Sequence, residues 1–207
     1  MDRKVEGFIA VNDNIRKPAT FDVDNNQTTG LIGSVPAAVT SYVTVVEKGD
    51  GVYKQTVITL AALPITMRDT EQGGGAKIYT FPEGRIAHQG SVASIAVTTT
   101  SVIADTLNSG VTCNYGVGTL TQSSATVATT EQDLVNVAAF TSSTTVDEAG
   151  ATANGVGPGV LASHDGTTTA IAAFMNLAVA GGTDIDADAS VTVSGTITIN
   201  WMNVGDY

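Results

Sequence analysis

The chain has 207 residues, with nine Lys and Arg against 20 Asp and Glu and a net charge of −11. All nine cations lie in residues 1–85 beside ten acids, whereas residues 86–207 carry ten acids, two His and no Lys or Arg. Lys and Arg are the groups that grip phosphate and anionic lipid, so this balance argues against nucleic acid or a membrane as partner.

The sole cysteine, Cys113, excludes an intrachain disulfide, and with no Cys/His signature around it reads as a small apolar filler. The first ten residues carry charge but no apolar signal core, and no stretch approaches the roughly 18 apolar residues of a membrane helix. A chain rich in Thr, Val, Ala and Gly and poor in Leu, Lys and Glu favours strands over helices.

Residues 1–36 read as an extended arm or irregular edge region. Its basic pairs, Arg3 with Lys4 and Arg16 with Lys17, suit contact with an acidic neighbouring subunit. Residues 38–47 alternate as a strand, Tyr42, Thr44 and Val46 on one face and Val43 and Val45 on the other. The turn cluster 48–51 (KGDG) joins them to a second strand, 52–61, as a hairpin. Pro64 has no N–H to give a ladder, so 63–67 belongs at a sheet edge or a bend. The three glycines 73–75 read as a flexible loop, and no Lys-Ser/Thr follows to make it a phosphate loop. Residues 77–81 form a strand and 81–84 (FPEG) a turn. Residues 85–89 and 92–99 form two more strands, parted at Gly90.

Residues 100–167 are poor in strand signals. They offer a thin strand at 115–120, a short one at 126–128 and a brief helix or turn at 130–133, which Thr130 can cap. Residues 142–159 read as a glycine- and alanine-rich surface loop around Asp147 and Glu148. Residues 168–180 form a strand, and 190–204 is the strongest strand of the chain. There Val191, Val193, Thr196, Thr198 and Asn200 break phase once with Ile197, Ile199 and Trp201, which implies a bulge near Gly195. Seven to ten strands and few or no helices give an all-β fold, a β-sandwich of jelly-roll type with an extended N-terminal arm. The arm is 1–36 and the single sandwich domain 37–207.

Chemistry is sparse. Asp184, Asp186 and Asp188 alternate, a spacing that can wrap Ca²⁺ in a loop, although the Gly and Glu an EF-hand requires are replaced by Ala189 and Gly195. A solvated acidic loop that keeps a sheet edge soluble is the competing reading. Asp22 and Asp24 are a weaker pair. His88 and His164 are too few for a three-His zinc site, and no Gly-x-Ser-x-Gly elbow accompanies them, so both read as loop surface. Trp201, in an apolar strand, reads as core.

Residues 77–86 (KIYTFPEGRI) together with 195–205 (GTITINWMNVG) resemble segments of small virion structural proteins of marine tailed bacteriophages. The likeness extends to the early hairpin and the Thr/Ser/Ala-rich middle, and it carries no catalytic residue. It implies a non-enzymatic capsid decoration or cement protein. Such a protein is assembled into the virion in the host cytoplasm. Its partners would be the major capsid protein, other virion subunits and further copies of itself, a trimer among the options. The nearly neutral residues 1–85 are then expected to touch the shell and the acidic remainder to face solvent. A tail tube or other tail protein is the structural alternative, and a glycan-binding head-fibre or adhesin module the alternative of another class.

Overall fold

A computed structural model describes residues 32–49, 53–99, 112–141, 148–155, 163–179, 185 and 188–205. Among these residues ten strands form two sheets. They are β1 (Val43–Gly49), β2 (Tyr53–Met67), β3 (Gly73–Thr80), β4 (Gly84–Thr99), β5 (Thr112–Gly118), β6 (Val135–Thr141), β7 (Glu148–Gly155), β8 (Ser163–Gly166), β9 (Ala172–Val179) and β10 (Ala189–Asn203). The first sheet runs β1-β2-β10-β4-β7, with β8 beside the start of β4, and the second runs β3-β9-β5-β6. Every pairing is antiparallel. Helical structure among the described residues is limited to two 3-10 turns, Ala37–Val39 and Thr129–Glu131. No helix among them is long and apolar enough to cross a membrane. The fold is the all-β sandwich that the composition implies, with one apolar core drawn from both sheets.

The hydrophobic periods explain the strand faces once bulges are placed. β2 buries Thr56, Ile58 and Leu60, then Leu63, Ile65 and Met67. The change of phase falls at Ala62, which takes a φ of +53° where the register with β10 slips between Val193 and Gly195. β4 buries Ile86 and His88, then Ala93, Ile95 and Val97, and its phase changes at Gly90, with φ +130°. Residues 85–89 and 92–99 are therefore one bulged strand, not two. β10 lies between these partners and keeps a single phase, with Val191, Val193, Ile197, Ile199 and Trp201 all buried. The register break near Gly195 is present, but its extra residue belongs to β2. Gly195 itself has φ +142°, and a Cβ there would run into the Ser94 carbonyl. Pro64 pairs with Thr192 beyond the last β1 pairing, Val43 with Leu60, so it occupies an edge as expected.

Other expectations are corrected. Gly73, Gly74 and Gly75 are not a loop but the first residues of β3. A Cβ on Gly74 would collide with the Thr66 carbonyl, and one on Gly75 with the Asn176 side chain. Close backbone approach, not flexibility, selects these glycines. The supposedly strand-poor region contains β5, β6, β7 and β8, and β7 crosses the segment read as a surface loop. Residues 126–128 form no strand. The 3-10 turn at Thr129–Glu131 is capped by the Glu131 carboxylate, which accepts the Ala128 N–H at 3.0 Å, and not by Thr130. The end of the presumed arm belongs to the sandwich. Ser34 and Thr80 exchange two backbone hydrogen bonds of 2.8 Å, and the Ile32 N–H donates to Glu47 at 2.9 Å.

Candidate functional site

The residues singled out for metal binding and assembly fall mostly outside the described residues: Asp184, Asp186, Asp22, Asp24, Arg3, Lys4, Arg16 and Lys17. Asp188 is exposed, and its carboxylate accepts the Asp69 N–H at 3.1 Å. Beside it the Gln72 side chain brackets Ile185. Its Oε1 accepts the Ile185 N–H at 3.1 Å, and its amide donates to the Ile185 carbonyl at 3.0 Å. Ile185 is thereby held in the core. The described part of the Asp segment thus closes the end of the sandwich at the β2–β3 turn. Among the described residues no three His, Cys, Asp or Glu side chains converge on a metal position.

Both histidines are inside, not on loop surface. The pairing of His164 with Ile86 places it on the inward side of the first sheet, beside the row that holds His88. His88 shares a 2.6 Å hydrogen bond with the Ser91 hydroxyl across the Gly90 bulge. Burial, then the neighbouring His164, pushes the His88 imidazole down to about 4. His164 Nδ1 lies 3.7 Å from the Asp133 carboxylate, whose two oxygens accept the Thr119 N–H and hydroxyl at 2.8 and 2.7 Å. Burial raises the Asp133 carboxyl, and the Thr119 bonds and His164 oppose that rise. His88, with its value far below neutral, is a poor general base, and its pairing with Ser91 bridges a bulge in the core. Cys113 and Trp201 are buried, as their contexts implied.

A second buried cluster joins the sheets. Tyr79 on β3 donates to Glu47 on β1, and Trp201 on β10 donates its indole N–H to Thr56 on β2 at 2.8 Å. Tyr79, Phe81 and Trp201 stack edge to face at 5.0 and 5.2 Å. Glu47 also receives Ile32, so this cluster is where the incoming chain is fastened.

The broadest surface with a distinct character is the outer face of β1-β2-β10-β4. Cross-strand register lays out rows on it: Val46–Val57–Thr198–Val92, and Thr44–Thr59–Thr196–Ser94. In these four strands the only acid is Glu47, which points inward. The outward cations are Lys48 and Arg85, and Arg85 is paired with Asp165 at 3.6 Å.

No family model, curated protein or solved structure matches the chain.

The acid-free face is the feature that reading the chain as two halves missed. β4 and β10 come almost wholly from the part after Arg85 that lacks Lys and Arg, yet neither carries an acid. The signal was present in the sequence as residues 84–99 and 189–203, both free of Asp and Glu. Only the sheet order, which sets β10 between β2 and β4, brings the two stretches together. The strands of the second sheet, β3, β9, β5 and β6, carry no acid either, so the acids of the described residues lie mostly in turns and connections.

Proposed function

We propose that the chain is a structural protein of a virus particle, of the decoration or cement type, which works by burying surface between subunits. The carrying observation is the outer face of β1-β2-β10-β4, broad and without a single outward acid in a chain of net charge −11. Interfaces are depleted of charge at their centre, and this face meets that condition. The buried polar groups agree with a scaffold role. Glu47, Glu131, Asp133 and Asn176 each hold backbone or cross-sheet partners in place. The resemblance of 77–86 and 195–205 to phage virion proteins points the same way.

The test is to purify particles released by cells carrying this gene and label them with an antibody to the chain. Labelling over the head supports the reading. Labelling confined to the tail moves the protein to the tail alternative. Recovery only in the unsedimented fraction overturns a particle role.

A further inference from the structure

We infer that the outer face of β1-β2-β10-β4 docks a second copy of this chain, sheet against sheet. The inference rests on reading that face as an assembly surface, and it names the occupant.

Charge selects the partner. Two chains of −11 each repel, and they approach at least cost where neither presents carboxylates. Among the described residues, β1, β2, β10 and β4 are such a place, since Glu47 is turned inward and bonded to Tyr79 and Ile32. β3, β9, β5 and β6 lack acids too, but their strands have only seven or eight residues each, so the first sheet offers the larger acid-free face. A nucleic acid or an acidic protein would call for a cationic face, and this one has only Lys48 and the Asp165-paired Arg85. A glycan would call for exposed rings, and Tyr53, at one end of the face, is the exposed ring that these four strands supply. A neutral surface of Thr, Ser, Val and Ala matches another of the same kind.

Shape and size agree. The rows Val46–Val57–Thr198–Val92 and Thr44–Thr59–Thr196–Ser94 consist of short, mostly β-branched side chains. These lose little rotamer freedom on contact and suit aligned packing of one sheet on another. β2, β10 and β4 have 15, 15 and 16 residues and β1 has seven. At about 3.3 Å per residue and about 4.8 Å between strands, they present roughly 800 Å². A standard stable interface takes about 800 Å² from each partner.

Sedimentation velocity and light scattering on the purified chain decide the matter. The expected species has twice the 21.0 kDa chain mass. Thr196→Glu and Val92→Glu each place two unpaired carboxylates in the symmetric contact and should weaken the dimer about 100-fold. Thr196→Arg should do the same, which separates loss of contact from loss of fold once circular dichroism shows native β signal and melting. Val137→Glu, at an exposed position on β6 of the other sheet, should leave the dimer intact. Added salt should tighten the wild-type dimer, because it screens the repulsion between the acidic remainders. A wild-type monomer at the highest soluble concentration overturns the inference, as does a dimer that survives both central substitutions. A monomer that enters particles only when Thr196 is intact assigns the face to the shell, refuting the second copy while the particle role stands. A face-dependent dimer absent from particles supports this inference and refutes that role.

Discussion

The Tyr79 hydroxyl on β3 donates to the Glu47 carboxylate on β1, linking the two sheets at a point where both residues are buried. A buried carboxylate is tolerated only when its oxygens are bonded. Here Tyr79 serves one oxygen and the Ile32 N–H the other. Tyr79→Phe should therefore cost about 2–3 kcal/mol, since it strands a buried charged acceptor. In the Tyr79→Phe background, Glu47→Gln should cost less than it does in the wild type, giving a coupling of about 1 kcal/mol or more in a double-mutant cycle. Urea denaturation of the four proteins measures both. Additive losses would show that the two side chains do not share this bond.

The same tyrosine sets an alkaline limit. Burial first, then the hydrogen bond and charge of Glu47, raises the Tyr79 hydroxyl above its usual value of 10.0. A folded value above the unfolded one means that the unfolded chain loses its proton first as pH rises. Stability should be unaffected by this group below about pH 9 and fall progressively above 10. Tyr79→Phe should flatten that decline. Melting temperature against pH from 8 to 11 reads the difference, and parallel curves would refute it.

His88 sets an acid limit of the opposite sense. Its folded value of about 4 lies below the ordinary imidazole value of 6.5. Above pH 6.5 both states are neutral, and between 6.5 and 4 the unfolded chain takes up its proton first, so stability falls across that window. At about 1.4 kcal/mol per unit the full loss is about 3 kcal/mol. Asp133, raised by burial, opposes the trend, since it binds its proton more readily folded than unfolded. His88→Gln, which can keep a bond to Ser91, should lower stability at pH 7.5 yet shallow the slope toward pH 4. Denaturation midpoints across that range test it, and an unchanged slope would place the acid response elsewhere.

Local pattern and tertiary packing contributed differently to what could be read in advance. The strand cores of β1, β2 and β10 were legible because a half-buried strand must alternate, and Pro64 was legible because a missing N–H restricts it to an edge. Gly74 was not legible. Three glycines look like a loop until the Thr66 carbonyl is known to lie against one of them. The inward histidines were missed because His88 precedes a bulge that only the register with β10 reveals. Asp133 and Thr119 meet because the turn before β6 folds back on the end of β5, a return that no local pattern encodes. The acid-free face needed non-local information too, as it joins strands more than 80 residues apart.

Gly195 and Gly90 separate two causes of glycine dependence. Both have positive φ, +142° and +130°, but a Cβ on Gly195 would strike the Ser94 backbone whereas one on Gly90 would meet open space. Gly90→Ala should cost only the backbone strain, about 1–3 kcal/mol. Gly195→Ala should cost clearly more, because β4 and β10 must also part. Equal losses in denaturant midpoint would mean that the steric term is absent.

Asn176, in β9, is fully buried at 0% exposure, as is Thr56. Its Oδ1 accepts the Gln122 N–H at 2.9 Å, and its amide donates to the carbonyls of Leu120 and Glu131 at 2.9 and 2.8 Å. One side chain thus holds both arms of the long β5–β6 connection, which has little regular structure of its own. Asn176→Leu keeps the volume but leaves three backbone groups unpaired, at about 1–3 kcal/mol each if they stay buried. If the connection instead swings out to water, the global loss is smaller and residues 119–134 become cleavable. Asn176→Asp retains the acceptor but, as a carboxylate, sets a negative oxygen against the Leu120 and Glu131 carbonyls, so it should cost more than Leu at neutral pH and less as the pH falls. Denaturation combined with limited proteolysis distinguishes the two responses. A variant with native stability and unchanged resistance to cleavage at 119–134 would mean that the connection is held by the Glu131 and Asp133 carboxylates alone.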